Sequence, residues 1–555
     1  VASKYREEFL FNIYRMGKNS IERGSRDTWT LTPKRVDAVK QAVERNRTAK
    51  IVATPAQYVG ILQDAVARDP RGYVIRSDQK DFATAVKFIN ALVKNGVTVH
   101  RATTGFGAAG KSYPAGSYVV MTAQAFRPHV LDMFEPQNHP DDIPYPGGAP
   151  TPPYDNAGWT LAFQMGVEFD RILDPFSGPF EVLRGFAPVP QGVVAGAPTA
   201  AVAGTVAAAQ WYAFERRTND AFAAANRLLA RGEEVYTIVD PQHIGGRALA
   251  PGTFLVNVRA TTLPLLRSLA SERGVVFSSL QGAPVPAGIV RLRQPRIALW
   301  DVYGGSMSSG WMRFVFDQFE FPYHVLYAGD LDRGGLASRY DVVILPDGAT
   351  LAADSVVAGF ESRFQPANVP AEWQPRLGRI SVAKTLPQLR AFVEEGGTLL
   401  AIGDAANVAY GLGLPVTNAV VDSAGKQLSR AKYYVPGSVL GVSVDTTNVL
   451  AWGMRPRADV FFDNSPTFRL KPEAQAKGAT AVAWFDSAAP LRSGWAWGQQ
   501  VLDKAAPIVA APVGRGTVIL YGPEIHFRGQ THGAFPFLFN GIYYGQVPPR
   551  PRSTN

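Results

Sequence analysis

Two sets of residues in this chain have the types and spacing that chemistry needs. The first is "GFGAAGKS" at 105–112, which fits G-x-x-x-x-G-K-[ST]. In a phosphate loop that pattern lets successive backbone N–H groups and a following helix N-terminus hold the anion. The second set is dispersed: Asp301, Asp347, Asp404, and Glu524 with His526 each follow an apolar run that reads as a buried strand. In a parallel α/β sheet the carboxyl ends of the strands line the ligand crevice. Gathered there, these groups could bind a cation, an amine or a sugar. They could also raise one another's pKa to form an acid/base pair, with Asp404, Glu524 and His526 as the catalytic candidates. The competing role for each is to cap a helix or pin a loop. His526 is the group whose ordinary titration lies nearest neutrality. Arg528 suits a bidentate hold on a carboxylate, or a structural salt bridge.

Other chemistry is limited by composition. The chain has no cysteine, which removes disulfides, thiolate metal sites and cysteine nucleophiles. Its seven histidines are at 100, 129, 139, 243, 324, 526 and 532, and none begins a His-x-x-Glu pair; His139 opens His-Pro-Asp-Asp. His526 and His532 lie six apart, with no third ligand in view. No metal or cofactor is therefore expected in this chain. Trp300, Trp311, Trp495 and Trp497 offer either a sugar-stacking platform or core packing.

The elements that must position these groups begin with a duplication. "YVIRSDQKDFATAVKFINALVKNGVTVHRA" (73–102) reads strand, helix, strand, and "AFAAANRLLARGEEVYTIV" (221–239) repeats its helix-Gly-strand part. Asn90 falls on Asn226, Gly96 on Gly232 and Val99 on Val235, each 136 apart, and "PAGSYVV" matches "APGTFLV" in the same register. In the second copy Gly105, Gly110, Lys111 and Ser112 become Pro241, Gly246, Arg247 and Ala248. A proline turn and a strand follow Ser112 where a phosphate loop needs a helix. The opening motif is thus read as a strand-to-strand connection.

The 555 residues divide into a helical lead-in (1–50), a first α/β copy (51–135), a Pro-, Gly- and aromatic-rich connection expected to wrap a domain surface (136–200), a second copy (201–293) and a larger domain (294–550). In the lead-in, Gly24 reads as a helix stop and Thr32-Pro33 as a helix start. From Pro295 strands and helices alternate, which predicts a doubly wound parallel sheet, with serines 308–309 capping its first helix and a β-rich insertion at about 415–505. The fold class expected is multi-domain α/β. A net charge of +10 is spread among acids without a basic run, so no nucleic-acid partner is expected. No apolar run reaches the roughly 20 residues of a membrane-spanning helix. The start "VASKYREEF" is read as a processed or truncated N-terminus, and the missing cysteines suit an exported bacterial protein.

Residues 294–546 resemble class I glutamine amidotransferase-like domains, through "RIALWD", "EEGGTLLAIGDAA" and "GPEIHF". Working members carry a cysteine directly after the strand matching "LLAI"; here Gly403 and Asp404 stand there, so the resemblance implies a relative without its nucleophile. The whole chain resembles the region downstream of the catalytic domain in large bacterial zinc carboxypeptidase-like proteins. "KYREEFLFNIYRMGKNSIERG", "PPYDNAGWTLAFQMGVEFDRI", "SGWMRFVFDQFEFPY" and "GPEIHFRGQTHGAFPFLFNG" carry that likeness. It implies a secreted or periplasmic parent with a zinc site upstream, and this chain as its accessory region, holding the assembly or positioning peptide substrates. Two alternatives stand beside it: a stand-alone structural, carbohydrate-binding or self-assembling protein, and an unrecognised hydrolase using the strand-end carboxylates with His526.

Overall fold

The computed structural model describes residues 1–195, 210–353 and 366–548. The sequence boundaries at 200/201 and 550 lie outside these residues. The chain forms two compact units, the first comprising Val1–Pro188 with Pro436–Val439 and Arg492–Trp495.

The first unit opens with helices Arg6–Gly24, Pro33–Thr48 and Pro55–Leu62. Thr32 caps the second of these, its side chain accepting from the Arg35 N–H, with Pro33 at the first helical position. The first helix ends at Gly24, and glycine is required there by packing: a Cβ would lie 2.2 Å from the Thr122 carbonyl oxygen. Next comes a five-stranded sheet of β1 (Gly72–Ile75), β2 (His100–Ala102), β3 (Tyr118–Met121), β4 (Asp170–Ile172) and β5 (Phe180–Val182). Its order is β4-β1-β3-β2-β5, antiparallel throughout. Helix Phe82–Lys94 is capped by Asp81 and buries Phe88, Ile89 and Leu92. The edge strands β4 and β5 come from the aromatic-rich connection, so the first copy does not stop at 135. Phe169 packs edge-on to Phe134 at 5.0 Å and Phe180 edge-on to Phe106 at 4.8 Å. Those aromatic rings are core residues of the sheet.

The second unit repeats this plan. β6 (Trp211–Phe214), β7 (Glu234–Ile238), β8 (Phe254–Asn257), β9 (Phe277–Leu280) and β10 (Ile289–Arg291) are ordered β9-β6-β8-β7-β10, the order of the first sheet, and a sixth strand, Val194–Ala195, runs parallel to β9 at the edge. Between β2 and β3 lies the hairpin Phe106–Ala108 with Lys111–Tyr113; Gln242–Ile244 with Arg247–Leu249 stands 136 residues on, between β7 and β8. Both turns place two residues at positive φ, Ala109-Gly110 and Gly245-Gly246, as a tight two-residue hairpin requires. "GFGAAGKS" is this hairpin, and its Lys111 is ion-paired to Asp170.

The rest of the second unit is built on one long sheet, with a separate two-stranded sheet pairing Val416–Asn418 and Phe468–Leu470. β11 (Ile297–Trp300), β12 (Tyr323–Leu326), β13 (Val342–Leu345), β14 (Thr398–Ile402), β15 (Ser438–Val444), β16 (Arg457–Phe462), β17 (Thr480–Trp484), β18 (Ile508–Val513) and β19 (Gly516–Tyr521) run in the order β12-β11-β13-β14-β19-β18-β17-β15-β16. The first five of that order are parallel, the 2-1-3-4-5 arrangement of a doubly wound sheet. β13 and β14 are buried along their whole length, which is why they read as unbroken apolar runs. The insertion after β14 extends the sheet with β15–β17. Helix Met307–Phe319 follows β11; its cap is Ser306, whose side chain accepts from the Ser309 N–H, so Ser308 and Ser309 belong to its first turn. Among the described residues no helix is long and apolar enough to cross a membrane.

Candidate functional site

β11, β13, β14 and β19 are adjacent and parallel, so the loops leaving their carboxyl ends share one edge of the sheet. That edge receives Asp301, Asp347, Asp404, Glu524 and His526, but in different roles. Asp301 is 2 % exposed and fully committed. Its carboxylate accepts from the N–H groups of Val302 and Ser306 at 2.8 and 2.9 Å and pairs with Arg313. It pins the β11 loop and offers nothing to a ligand. Asp347 accepts from the Asp404 N–H at 2.8 Å. Gly403 between β14 and Asp404 has φ +61°, and a Cβ on it would lie 2.1 Å from the Asp347 carboxylate. The place where a nucleophile was sought therefore keeps a sharp turn, and Asp347 fills the space beside it.

Glu524 and His526 meet through a residue the sequence reading treated only as a cap. The Ser308 hydroxyl donates to Glu524 Oε1 at 2.9 Å and lies 2.9 Å from His526 Nε2. That same nitrogen is 3.1 Å from the Ser308 carbonyl oxygen. A carbonyl can only accept, so Nε2 carries the proton and Nδ1 is bare, with no hydrogen-bond partner among the described residues. His526 is fully buried, and burial pushes its pKa down to about 4. It stays neutral through the physiological range. Glu524 moves the other way: burial, then repulsion from Asp347, pushes its carboxyl up to about 7 against the Ser308 hydrogen bond, with Asp463 adding to the rise and Arg528 opposing it. The group poised near neutrality is thus Glu524, and the expectation placed on His526 is corrected by burial.

Burial, helped by Asp347 and Asp463, also raises Asp404 above the usual carboxylate range. Asp463 directly follows β16, and its signal in "FFDNSP" was a strand-end acid like the others, hidden inside the insertion. Arg528 has φ +50° and sets its guanidinium 4.8 Å from the Phe527 ring, which stacks on Phe461. Trp300 and Trp495 are each 5 % exposed and present no open face to a sugar. Among the described residues no three His, Asp or Glu side chains are grouped to hold a metal ion.

Beside Asp404 a cavity of about 450 Å³ opens within the second unit. Asn407 and Tyr410 from the segment after β14 line it, with Gln427, Arg430 and Tyr434 from the insertion. Arg430 lies 4.4 Å over the Tyr434 ring and donates to its hydroxyl at 3.2 Å. Chemically, the edge combines a carboxyl group able to exchange a proton near pH 7 with a polar cavity beside further carboxylates.

No family model and no curated protein sequence matches the chain. Solved structures do. A ThuA-like protein from Bacteroides uniformis aligns over 47 % of this chain and 95 % of its own, at 10 % identity and a TM-score of 0.29. A glutamine amidotransferase from Thermotoga maritima aligns over 46 % and 97 %, at 11 % identity and 0.26. A β-galactosidase from Bacillus circulans sp. alkalophilus aligns over 46 % of this chain and 32 % of its own, at 11 % identity and 0.27.

Proposed function

We propose that this chain is a binding and docking region without a nucleophile of its own, the accessory part of a secreted or periplasmic zinc carboxypeptidase-like protein. The observation that carries the docking role is the first helix. It sets its small-residue side on its own unit, where a Cβ on Gly17 would touch the Ala125 Cβ at 3.4 Å and Gly24 lies on the Thr122 backbone. Its first half carries exposed apolar residues round most of its circumference, Leu10 and Ile13 on the Gly17 stripe included: Phe9, Leu10, Phe11, Ile13, Tyr14 and Met16 are 48–63 % exposed. An apolar surface of that extent is the mark of an interface. The resemblance drawn from sequence names its partner, the zinc-bearing domain upstream in the same protein. The glycine at the nucleophile position and the commitment of Asp301 to its loop support a non-catalytic role for the large sheet.

The test uses the protein as its source produces it. Zinc-dependent release of C-terminal residues from peptides, stopped by a chelator, is expected. So is slower hydrogen exchange at Phe9–Met16 than in the isolated 555-residue chain. A product without peptidase activity removes the carboxypeptidase assignment, and a helix equally unprotected in both removes the docking role.

A further inference from the structure

We propose that the cavity beside Asp404 is a saccharide site that takes an amine-bearing sugar, with the ammonium group at the Asp404 end. This is independent of the docking role of the first helix. A pocket of about 450 Å³ falls in the range that encloses small ligands. Its lining is neither an apolar slot nor an anion nest. Tyr410 lines the cavity at 45 % exposure and supplies an aromatic ring of the kind that packs on the C–H face of a pyranose. Asn407 and Gln427 bring amides, each able to donate to one hydroxyl and accept from another, the pairing that vicinal hydroxyls present. Tyr433 also lines the cavity at 7 % exposure, and its hydroxyl has no partner among the described residues.

Charge selects among sugars. Asp404 lies close enough to Asp347 and Asp463 for their charges to act on its carboxyl. A ligand ammonium relieves that repulsion, whereas a neutral hydroxyl does so only weakly and a carboxylate worsens it. Arg430 also lines the cavity, stacked on Tyr434 and hydrogen-bonded to its hydroxyl; it keeps its charge, supplies donors to sugar hydroxyls, and confines the ammonium group to the Asp404 end.

The test is calorimetric titration of the 555-residue chain with three trisaccharides: fully deacetylated chitotriose, its N-acetylated form, and cellotriose. The expected result is saturable binding of the deacetylated sugar, at least tenfold tighter than either other. Tyr410→Ala and Asp404→Asn should each weaken it at least tenfold while the thermal midpoint stays within about 2 °C of the parent. Equal binding of all three sugars, no heat with any, or undiminished affinity in both variants overturns the proposal. So does displacement of the sugar by a short peptide that binds more tightly, because the cavity is then a peptide site. If the variants melt early, sugar-induced chemical shifts confined to Tyr410, Gln427 and Asn407 in the parent decide it, and shifts elsewhere count against it.

Discussion

Gly403 and Asp347 are locked together: a single added carbon on Gly403 would lie 2.1 Å from the Asp347 carboxylate, which itself holds the Asp404 N–H. The turn after β14 is therefore one where any side chain collides with Asp347, at the position where the sequence resemblance looks for a nucleophile. Positive φ at a non-glycine costs roughly 1–2 kcal/mol, and the collision adds to it. Gly403→Ala should destabilise the second unit by about 3 kcal/mol, read from urea midpoints. Gly403→Cys should do the same without creating any ester or amide hydrolysis. Adding Asp347→Ala should recover more than about 1 kcal/mol, since the two side chains then stop competing for one space. A fully stable Gly403→Cys would show that the turn tolerates a nucleophile.

Glu524 and His526 make opposite demands on pH. In the folded chain Glu524 keeps its proton up to about 7, whereas an ordinary glutamate loses it near 4.5. Between those values the folded state holds a proton the unfolded chain has released, so this group makes stability fall as pH rises. His526 titrates near 4 against an ordinary 6.5. There the unfolded chain binds a proton the folded state refuses, so its contribution is present above 6.5 and lost as pH drops toward 4. The two slopes largely cancel between about 4.5 and 6.5, so the pair together adds little pH dependence to the parent there. Glu524→Gln should unmask the histidine, with stability climbing by about 2–3 kcal/mol from pH 4 to 6.5. His526→Asn should unmask the opposite slope. Urea midpoints at half-unit steps measure both, and parallel profiles in parent and variants would refute the opposed shifts.

How far the sequence could be read follows from the same residues. The offset that carries Gly96 onto Gly232 is local and ungapped, so the duplication, its hairpins and the non-phosphate nature of "GFGAAGKS" were all legible. The alternation of apolar runs and helices from Pro295 was legible for the same reason, and five parallel strands follow it. The edge strands β4 and β5 were not, because each is three residues long in a Pro-rich segment and strand periodicity needs more than that to register. Strand ends marked Asp301, Asp347, Asp404, Glu524 and His526, but pattern cannot say which way a side chain turns. Asp301 is absorbed by Arg313 twelve residues on, and His526 loses its titration to burial that only the packed helix Met307–Phe319 creates. Asp463 and the cavity walls Gln427 and Arg430 lie far along the chain in an insertion, where no spacing ties them to Asp404.

Arg216 gives a prediction about stability alone. It is 3 % exposed, its guanidinium hydrogen-bonded to Asn540 and Thr237 and set 4.2 Å from the Phe254 ring. Among the described residues no carboxylate pairs with it, and burial pushes its pKa down to about 9. A buried charge held only by neutral dipoles and a ring gains little over an apolar side chain of similar length. Arg216→Met should therefore stay within about 1 kcal/mol of the parent, while Arg216→Ala, which leaves a void, should cost about 3 kcal/mol. Equal losses in the two variants would mean the cation itself is needed.

Gly24 tests how the first helix is held. With the Thr122 carbonyl oxygen 2.2 Å from where a Cβ would stand and the Ala123 nitrogen 2.5 Å away, backbone rather than a movable side chain blocks the space. Gly24→Ala must either push the helix off β3's end or bend it. The first half of the helix is exposed, so its hold on the unit is concentrated in the second half, at Gly17 beside Ala125 and at Gly24. The expected result is local: hydrogen exchange across Arg6–Gly24 should quicken at least tenfold while the strands β1 and β3 keep their protection. Loss of the whole sheet's protection would mean the helix is part of the unit's core, and unchanged exchange would mean that the close approach at Thr122 does not fix it.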